Sequence, residues 1–169
     1  MDIEVRPLRV SDIPAVWEIQ AGAHKDSSLH EPPETFEAYL RAFPAGCVAA
    51  LASDSLVGYG VGHPWLKGAP LQLDITKFEL PTTPTCFHVH DIAVRVKGVE
   101  LGRRLLGQLV EVAAEEQLYV LDLVAVGGAD TYWHRFGFRA SEPETQAAIS
   151  LYGASAVYMI APIDDLSLP

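Results

Sequence analysis

The sequence predicts a single α/β domain in which a mixed, mostly antiparallel sheet is flanked by helices on both faces. Three observations lead to this fold class. The chain has 169 residues, of which 49% are apolar and 20% charged, as in one globular domain. Strand-like apolar segments occur in runs, which is typical of antiparallel pairing. A later strand–helix–strand unit favours one parallel pair within the same sheet.

The first half of the chain is predicted to contain a strand, two helices and a hairpin. Ser11-Asp12 offers a cap for the first helix, and Pro33 opens the second. A short polar turn separates the two hairpin strands. In chain order these segments are residues 3–8 (strand), 13–20 and 33–43 (helices), 47–52 and 56–62 (strands), and a proline-containing loop over 63–84.

The second half is predicted to begin with the central strand of the sheet. A turn at Lys97-Gly98 then leads into an amphipathic helix with apolar residues at helical spacing. A further strand, a short helix ended by Gly137 and two last strands follow. These segments are residues 87–94 (strand), 101–117 (helix), 118–126 (strand), 129–136 (helix), and strands at 138 and 156–161.

Composition limits the function classes. The formal net charge of −10 repels phosphate backbones and anionic lipids, so we expect neither nucleic-acid nor membrane binding. Cys47 and Cys86 lack the spacing of a zinc site and are predicted to be buried, reduced thiols. The N-terminal residues do not resemble a signal peptide, and no segment approaches the roughly 20 apolar residues of a membrane span. We therefore expect a cytoplasmic protein.

The turn between the central strand and the helix at residue 101 is the strongest functional signal. The first amides of a helix have no partner within the helix, and its dipole favours an anion there. Gly98 and Gly102 permit close approach of the backbone. Lys97, Arg103 and Arg104 concentrate positive charge in an acidic chain. This pattern indicates a pyrophosphate site, although plain turn chemistry with a solvated basic face gives the same local pattern.

Two stretches together resemble the GNAT N-acyltransferase superfamily. Residues 90–94 followed by 97–106 are similar to its cofactor signature, and residues 124–126 with 132–138 are similar to its second signature, which ends in Gly-Phe. The segment around residues 63–65 resembles a bacterial branch of that superfamily. The resemblance covers nearly the whole chain. It implies splayed central strands and acetyl-CoA, or another acyl-CoA, as co-substrate, with no metal.

The resemblance also implies which residues bind the coenzyme. The central strand is expected to line the pantetheine arm, and the following loop and helix start are expected to bind the pyrophosphate. The implied cofactor-binding residues are Ile92, Ala93, Val94, Lys97, Gly98, Val99, Glu100, Leu101, Gly102, Arg103, Arg104, Ala129 and Trp133. Lys97 stands where the family usually has Arg or Gln, and Glu100 where it usually has Gly. The loop between Val94 and Lys97 is about two residues shorter than usual.

The candidate catalytic residues are His90, Asp91 and Tyr132. A histidine has a pKa suited to general-base chemistry, roughly 6.5 when unperturbed, and His88 on the same strand is a further candidate. Asp91 is predicted to orient a histidine or to bind a cationic amine. Alternatively, all three strand residues are hydrogen-bonded structural groups. His88 and His90 have the spacing of a metal pair, but no third ligand is evident.

The resemblance implies a tyrosine acid for the departing thiolate, at the position where this chain has Trp133. The neighbouring Tyr132 or water is predicted to take that role, while Trp133 forms either a pocket wall or part of the core. Tyr59, His63 and Trp65 are predicted either to shape the acceptor pocket or to pack the end of the hairpin. Glu31 is a weaker candidate for binding a cationic acceptor.

The leading hypothesis is an N-acetyltransferase that acts by direct attack of a primary amine of a small molecule or protein on acetyl-CoA. No serine or cysteine lies in a recognisable nucleophile motif, which favours direct attack. Two alternatives stay open: a non-catalytic acyl-CoA-binding or regulatory module, and a degenerate domain that serves as a scaffold subunit. A homodimer through the terminal strands is compatible with each of them.

Overall fold

The computed structural model describes residues 2–96 and 100–168. In the described residues it contains four α-helices, several short 3-10 turns and a sheet of seven strands. The strands are β1 (Ile3–Pro7), β2 (Cys47–Ala52), β3 (Ser55–Trp65), β4 (Cys86–Val94), β5 (Val120–Ala125), β6 (Arg139–Ala140) and β7 (Val157–Pro162). The helices are α1 (Ile13–Ala23), α2 (Pro33–Ala42), α3 (Leu101–Glu115) and α4 (Asp130–His134).

The sheet is mixed and mostly antiparallel, as predicted. Its strand order is β1-β2-β3-β4-β5-β7-β6, and only β4 and β5 run parallel. The parallel pair is possible because α3 returns the chain to the same end of the sheet. β4, the predicted central strand, lies in the middle of this order.

Helices cover both faces of the sheet. On one face the apolar stripe of α3, including Leu105 and Leu109, packs against β2, β3 and β4. On the other face α1 and α2 contribute Val16, Ile19 and Phe36 to a second core that includes Tyr59. The amphipathic spacing in each helix therefore places one stripe against the sheet and leaves the other side to solvent.

Several predicted boundaries differ from the structure; the strand predicted at Phe138, for example, is β6 at Arg139–Ala140. β3 continues to Trp65, which pairs with Cys86, so residues 63–65 belong to the strand and not to the loop. α3 ends at Glu115 because Gln117 takes a left-handed conformation, with φ of 60°, and the Leu118 amide donates to the Ala113 carbonyl. This capping arrangement stops the helix two residues before the predicted end and delays β5 to Val120.

Both cysteines are buried and free, as predicted. Burial raises the pKa of the Cys47 thiol to about 12 and also raises that of Cys86. Thiols in such surroundings are poor nucleophiles at neutral pH. No helix within residues 2–96 and 100–168 is long and apolar enough to cross a membrane.

Candidate active site

A fork between β4 and β5 opens the centre of the sheet. The two strands pair only at Phe87 with Leu121 and at His88 with Asp122. From Val89 onward the edge of β4 that faces β5 has no strand partner in the described chain, although its other edge stays paired with β3 up to Val94. Backbone donors and acceptors along this edge are therefore available to a ligand.

A cavity of about 910 Å³ occupies the fork and extends toward α1. Its walls come from the open part of β4, the end of β5, the C-terminal half of α1 with the following connector, and α4. Nine of the predicted site residues line it: His90, Asp91, Ile92, Ala93, Val94, Gly102, Ala129, Tyr132 and Trp133. Most of the predicted site residues therefore lie around this cavity, while their roles stay predictions.

The other predicted cofactor residues lie around the start of α3. Lys97, Gly98 and Val99 lie outside the described residues. The side chain of Glu100 is 74% exposed and accepts a hydrogen bond of 3.1 Å from Arg103. The charge of Glu100 is thus paired at the surface instead of facing the cavity.

The side chains of Leu101 and Arg104 make structural contacts at the start of α3. Leu101 is buried in the core beneath the helix. Arg104 donates a hydrogen bond of 2.9 Å to the carbonyl of Ile3 on β1. If either residue binds a coenzyme, it would therefore do so through its backbone amide and not through its side chain.

A β-bulge at His90 decides which side chains of β4 share a face. Gly62 of β3 pairs with Val89, and the neighbouring Val61 pairs with Asp91, so His90 has no partner residue on β3. In a regular strand His90 and Asp91 would point to opposite faces. The bulge turns both toward α1 and α2, where His88 also lies. Sequence periodicity alone could not reveal this.

Asp91 lies at the centre of a three-residue hydrogen-bond chain. Its Oδ1 is 3.1 Å from Nε2 of His24, which follows α1, and its Oδ2 accepts a 2.5 Å hydrogen bond from the Tyr59 hydroxyl on β3. Tyr59 is fully buried and does not line the cavity. It therefore acts on the site only through Asp91.

His90 forms a separate pair with Glu31, from the connector between α1 and α2. Its Nε2 is hydrogen-bonded to Oε1 of Glu31, and its ring packs against Tyr39. Buried Gln20 fixes the Glu31 backbone through two hydrogen bonds of 2.9 Å. Glu31 thus has a defined position in the site, although the sequence made it only a weak candidate.

A second polar network lies at the base of the fork. Nδ1 of His88 is 2.7 Å from Oδ1 of Asp122, whose Oδ2 accepts a 2.5 Å hydrogen bond from the Tyr158 hydroxyl. The amide of Gly68 donates to the same hydroxyl. His88 and His90 therefore each have a carboxylate partner. In residues 2–96 and 100–168 no group of three or more His, Cys, Asp or Glu is placed to hold a metal ion.

Comparison of the sequence with models of known protein families identifies the family of this chain. The model of the acetyltransferase (GNAT) family matches residues 13–138, which is most of the chain. The chain belongs to this family. No curated protein sequence matches it significantly. As in the resemblance drawn from the sequence, the matched region includes the fork, the start of α3 and the Gly-Phe at the end of the second signature.

Solved structures with the same fold include several GNAT proteins. The loading GNATL domain of CurA from Lyngbya majuscula has a TM-score of 0.78 at 10% identity, over 97% of this chain and 99% of that one. The ribosomal-protein-S18-alanine N-acetyltransferase from Escherichia coli has 0.68 at 16%, over 96% and 94%. Rv2747 from Mycobacterium tuberculosis, in complex with CoA, has 0.67 at 17%, over 94% and 98%. At these identities the likeness shows the fold alone.

At the α3 end the cavity reaches Gly102, where the sequence resemblance implies pyrophosphate binding. A Cβ atom added at Gly102 would lie 2.4 Å from the Tyr132 hydroxyl, so glycine at this position lets that hydroxyl approach the helix closely. Gly102 belongs to the first turn of a 15-residue helix, where backbone amides have no helical partner. The chain therefore offers a cradle for an anionic group between the open strand edge and the helix start.

Both histidines that face the cavity have raised pKa values. The hydrogen bond to Asp91 raises the pKa of His24, against the opposing effect of burial. Burial lowers the pKa of His90, but the charge of Glu31 and the hydrogen bond to it outweigh this, so the net pKa is raised. Burial likewise raises the pKa of Asp91, and the contacts with His24 and Tyr59 reverse the shift to a net lowering.

These shifts predict that the protein loses stability as pH rises above about 6.5, through the raised pKa values of His24 and His90. A histidine whose folded pKa is raised stabilises the fold below its unfolded pKa, about 6.5, and the stabilisation is lost as pH rises through the folded pKa. His63, whose pKa burial holds well below the ordinary value, acts only below that window. Urea unfolding at a series of pH values measures the slope. Asp91→Asn should flatten it, and a rising slope in the wild type would contradict the assignment.

The sequence reading missed His24 altogether. The only feature of the sequence that could have identified His24 is its place just after the first helix, in a polar segment that also contains His30 and Glu31. The partner of His24, Asp91, lies 67 positions away, and a contact of that separation leaves no mark in a local pattern.

Proposed function

We propose that this GNAT protein transfers an acetyl or other acyl group from acyl-CoA to a primary amine, by direct attack in a ternary complex. One observation carries the proposal. The open edge of β4 meets, within one cavity, a wall that presents the His24–Asp91 and His90–Glu31 pairs. A thioester held along the strand would therefore lie beside groups able to exchange protons with an attacking amine.

Support for direct attack comes from the lining of the cavity. No serine, threonine or cysteine lines it among the described residues. The two cysteines lie in the core, where burial raises the pKa of both thiols. A covalent acyl-enzyme on one of the usual hydroxyl or thiol nucleophiles thus has no candidate at the site. This lining favours attack of the amine nitrogen itself on the thioester carbon.

A thiol-release assay tests the proposal. The protein is incubated with acetyl-CoA and a panel of small amines, amino acids and peptide N-termini, and free thiol is followed with time. We expect amine-dependent release and a product heavier by one acetyl group in mass spectrometry. No release above the buffer rate with any acceptor would overturn the proposal.

Tyr132 is proposed to donate the proton to the departing thiolate. Its hydroxyl lies against Gly102, and burial raises its pKa, which keeps it protonated at neutral pH. We expect Tyr132→Phe to lower kcat about tenfold, or about 1.4 kcal/mol of barrier, and to leave acetyl-CoA affinity unchanged. The control is Tyr119→Phe at an exposed tyrosine. An unchanged kcat would remove Tyr132 from the mechanism.

The second candidate function is a non-catalytic acyl-CoA binder. This function is favoured because both arginines at the start of α3 already have partners within the protein. Arg103 pairs with Glu100, and Arg104 donates to the Ile3 carbonyl. Trp133 also stands where the sequence resemblance implies the tyrosine acid. Calorimetry separates the two functions: tight binding of acetyl-CoA without turnover with any amine would support the binder.

A further inference from the structure

His24 is the imidazole that the structure exposes to the cavity. Its side chain is 21% exposed, whereas that of His90 is 1% exposed and pressed against Tyr39. Nε2 of His24 is committed to Asp91, and within the described chain its Nδ1 forms no hydrogen bond. His90, the histidine predicted from the sequence, has Nε2 bound to Glu31 and a buried Nδ1.

We infer that His24 is the general base of the proposed acyl transfer, with Asp91 and Tyr59 as positioning residues. The inference rests on the proposed function and names the group that takes the proton. His24 donates its Nε2 proton to Asp91, which fixes the neutral tautomer with an unprotonated Nδ1. That nitrogen is then free to accept a proton inside the cavity.

Asp91 acts through His24 instead of on the acceptor. Both of its oxygens are occupied, one by His24 and the other by the hydroxyl of Tyr59. The bulge at His90 is what turns Asp91 toward α1, so the dyad depends on that irregularity of β4. A carboxylate that holds an imidazole in one tautomer and stabilises its protonated form is a recurrent device for a base near neutral pH.

Other titratable groups around His24 determine the pH range in which it works. The carboxylates of Asp91 and Glu31 raise its pKa, and His90 lies on the same strand as Asp91. The imidazole of His30 binds the carbonyl of His24 and not its ring. Tyr59 acts on His24 through Asp91, and the charged residues Glu18, Lys25, Asp26 and Arg95 line the same cavity.

The proton balance of the step is closed. The amine nitrogen forms a bond to the acyl carbon while the carbon–sulfur bond breaks, and the electron pair of that bond leaves with the thiolate. Nδ1 of His24 takes the proton that the nitrogen loses. The thiolate gains a proton either from solvent or from Tyr132, which then regains its own proton from solvent, and the imidazolium returns its proton to solvent.

The decisive variant is His24→Gln, compared with the exposed histidine variant His134→Gln. With the amine identified in the thiol-release assay, we expect His24→Gln to lower kcat/KM about 100-fold while acetyl-CoA affinity by calorimetry stays within about threefold. His134→Gln should match the wild type. Added imidazole should restore part of the rate to His24→Ala, which a merely structural role would not allow.

The pH profile gives a second measurement. A base must be neutral, so kcat/KM should rise with pH through the pKa of His24. Asp91→Asn removes the charge that stabilises the imidazolium and should move this limb about one unit lower. Tyr59→Phe leaves more negative charge on Asp91 and should move it slightly higher. Partial unfolding of the two variants would not move the pH dependence of kcat/KM in opposite directions.

The outcomes separate this inference from the proposed function. Turnover that survives His24→Gln and Ala within a few-fold overturns only the role of His24. If no amine is acetylated, the proposed function fails, and acetyl-CoA hydrolysis then tests the base with water as acceptor. Hydrolysis that depends on His24 supports the inference. A wild type that hydrolyses nothing, or hydrolysis unaffected by His24→Gln, overturns it.

Discussion

Replacing Gly102 by glutamate is expected to weaken acetyl-CoA binding about 100-fold. The side chain would meet the Tyr132 hydroxyl, which lies 2.4 Å from an added Cβ, and would bring an anion to the first turn of α3. Two charge-assisted hydrogen bonds from backbone amides to phosphate, at about 1.5 kcal/mol each, account for a loss of this size. The measurement is the Kd from calorimetry.

The matched control is Gly107→Glu on the same helix. A Cβ at Gly107 meets no atom within 4 Å, so the same substitution adds the same charge without entering the cavity. Replacing a helical glycine should even stabilise α3 slightly. If Gly102→Glu binds acetyl-CoA within about threefold of Gly107→Glu while both remain folded, the coenzyme does not use the start of α3, and the proposed function loses its basis.

The fold was largely predictable because its signals are local. The helices carry apolar residues at helical spacing, and the strands form apolar runs bounded by turns, so element order led directly to a mixed sheet. The errors arose where long-range pairing overrides composition. Pro64 suggested a loop, yet the segment from His63 to Trp65 pairs with the start of β4.

Only those parts of the candidate site that are formed by neighbours in sequence could be predicted. The signature residues on β4 and at the start of α3 were found because neighbours in sequence form the open strand edge and the helix start. In the polar wall, His24 was missed and Glu31 was only a weaker candidate, since these two residues reach β4 from 67 and 59 positions away. The bulge that brings His90 and Asp91 to one face depends on pairing with β3, which local periodicity does not encode.

The polar residues of β4 share a common arrangement. His88, His90 and Asp91 each bind a partner outside β4: Asp122 on β5, Glu31 late in the connector between α1 and α2, and His24 at the start of that connector. The same strand therefore fixes the base of the fork and both parts of the facing wall. Because the contacts are buried and paired, the cavity has a defined shape before any ligand enters, which favours preorganised catalysis.

The largest loss of stability is expected from Asp122→Ala, at about 3–5 kcal/mol. Asp122 is buried and holds His88 and Tyr158 by hydrogen bonds of 2.7 and 2.5 Å. Alanine would leave an imidazole and a hydroxyl without their shared partner inside the sheet, and unpaired buried polar groups are strongly destabilising. The free energy of unfolding in urea measures the effect.

Two further variants show whether the loss belongs to the network. Val120→Ala, on the same strand but only partly buried, should lose about 1 kcal/mol. A double-mutant cycle of Asp122→Ala with His88→Ala should give a coupling energy well above zero, because each residue is the other's partner. Since this pair is the last one before β4 and β5 diverge, its loss should also weaken acetyl-CoA binding in protein that remains folded. A loss of stability below about 1 kcal/mol for Asp122→Ala would mean that backbone pairing alone holds the base of the fork.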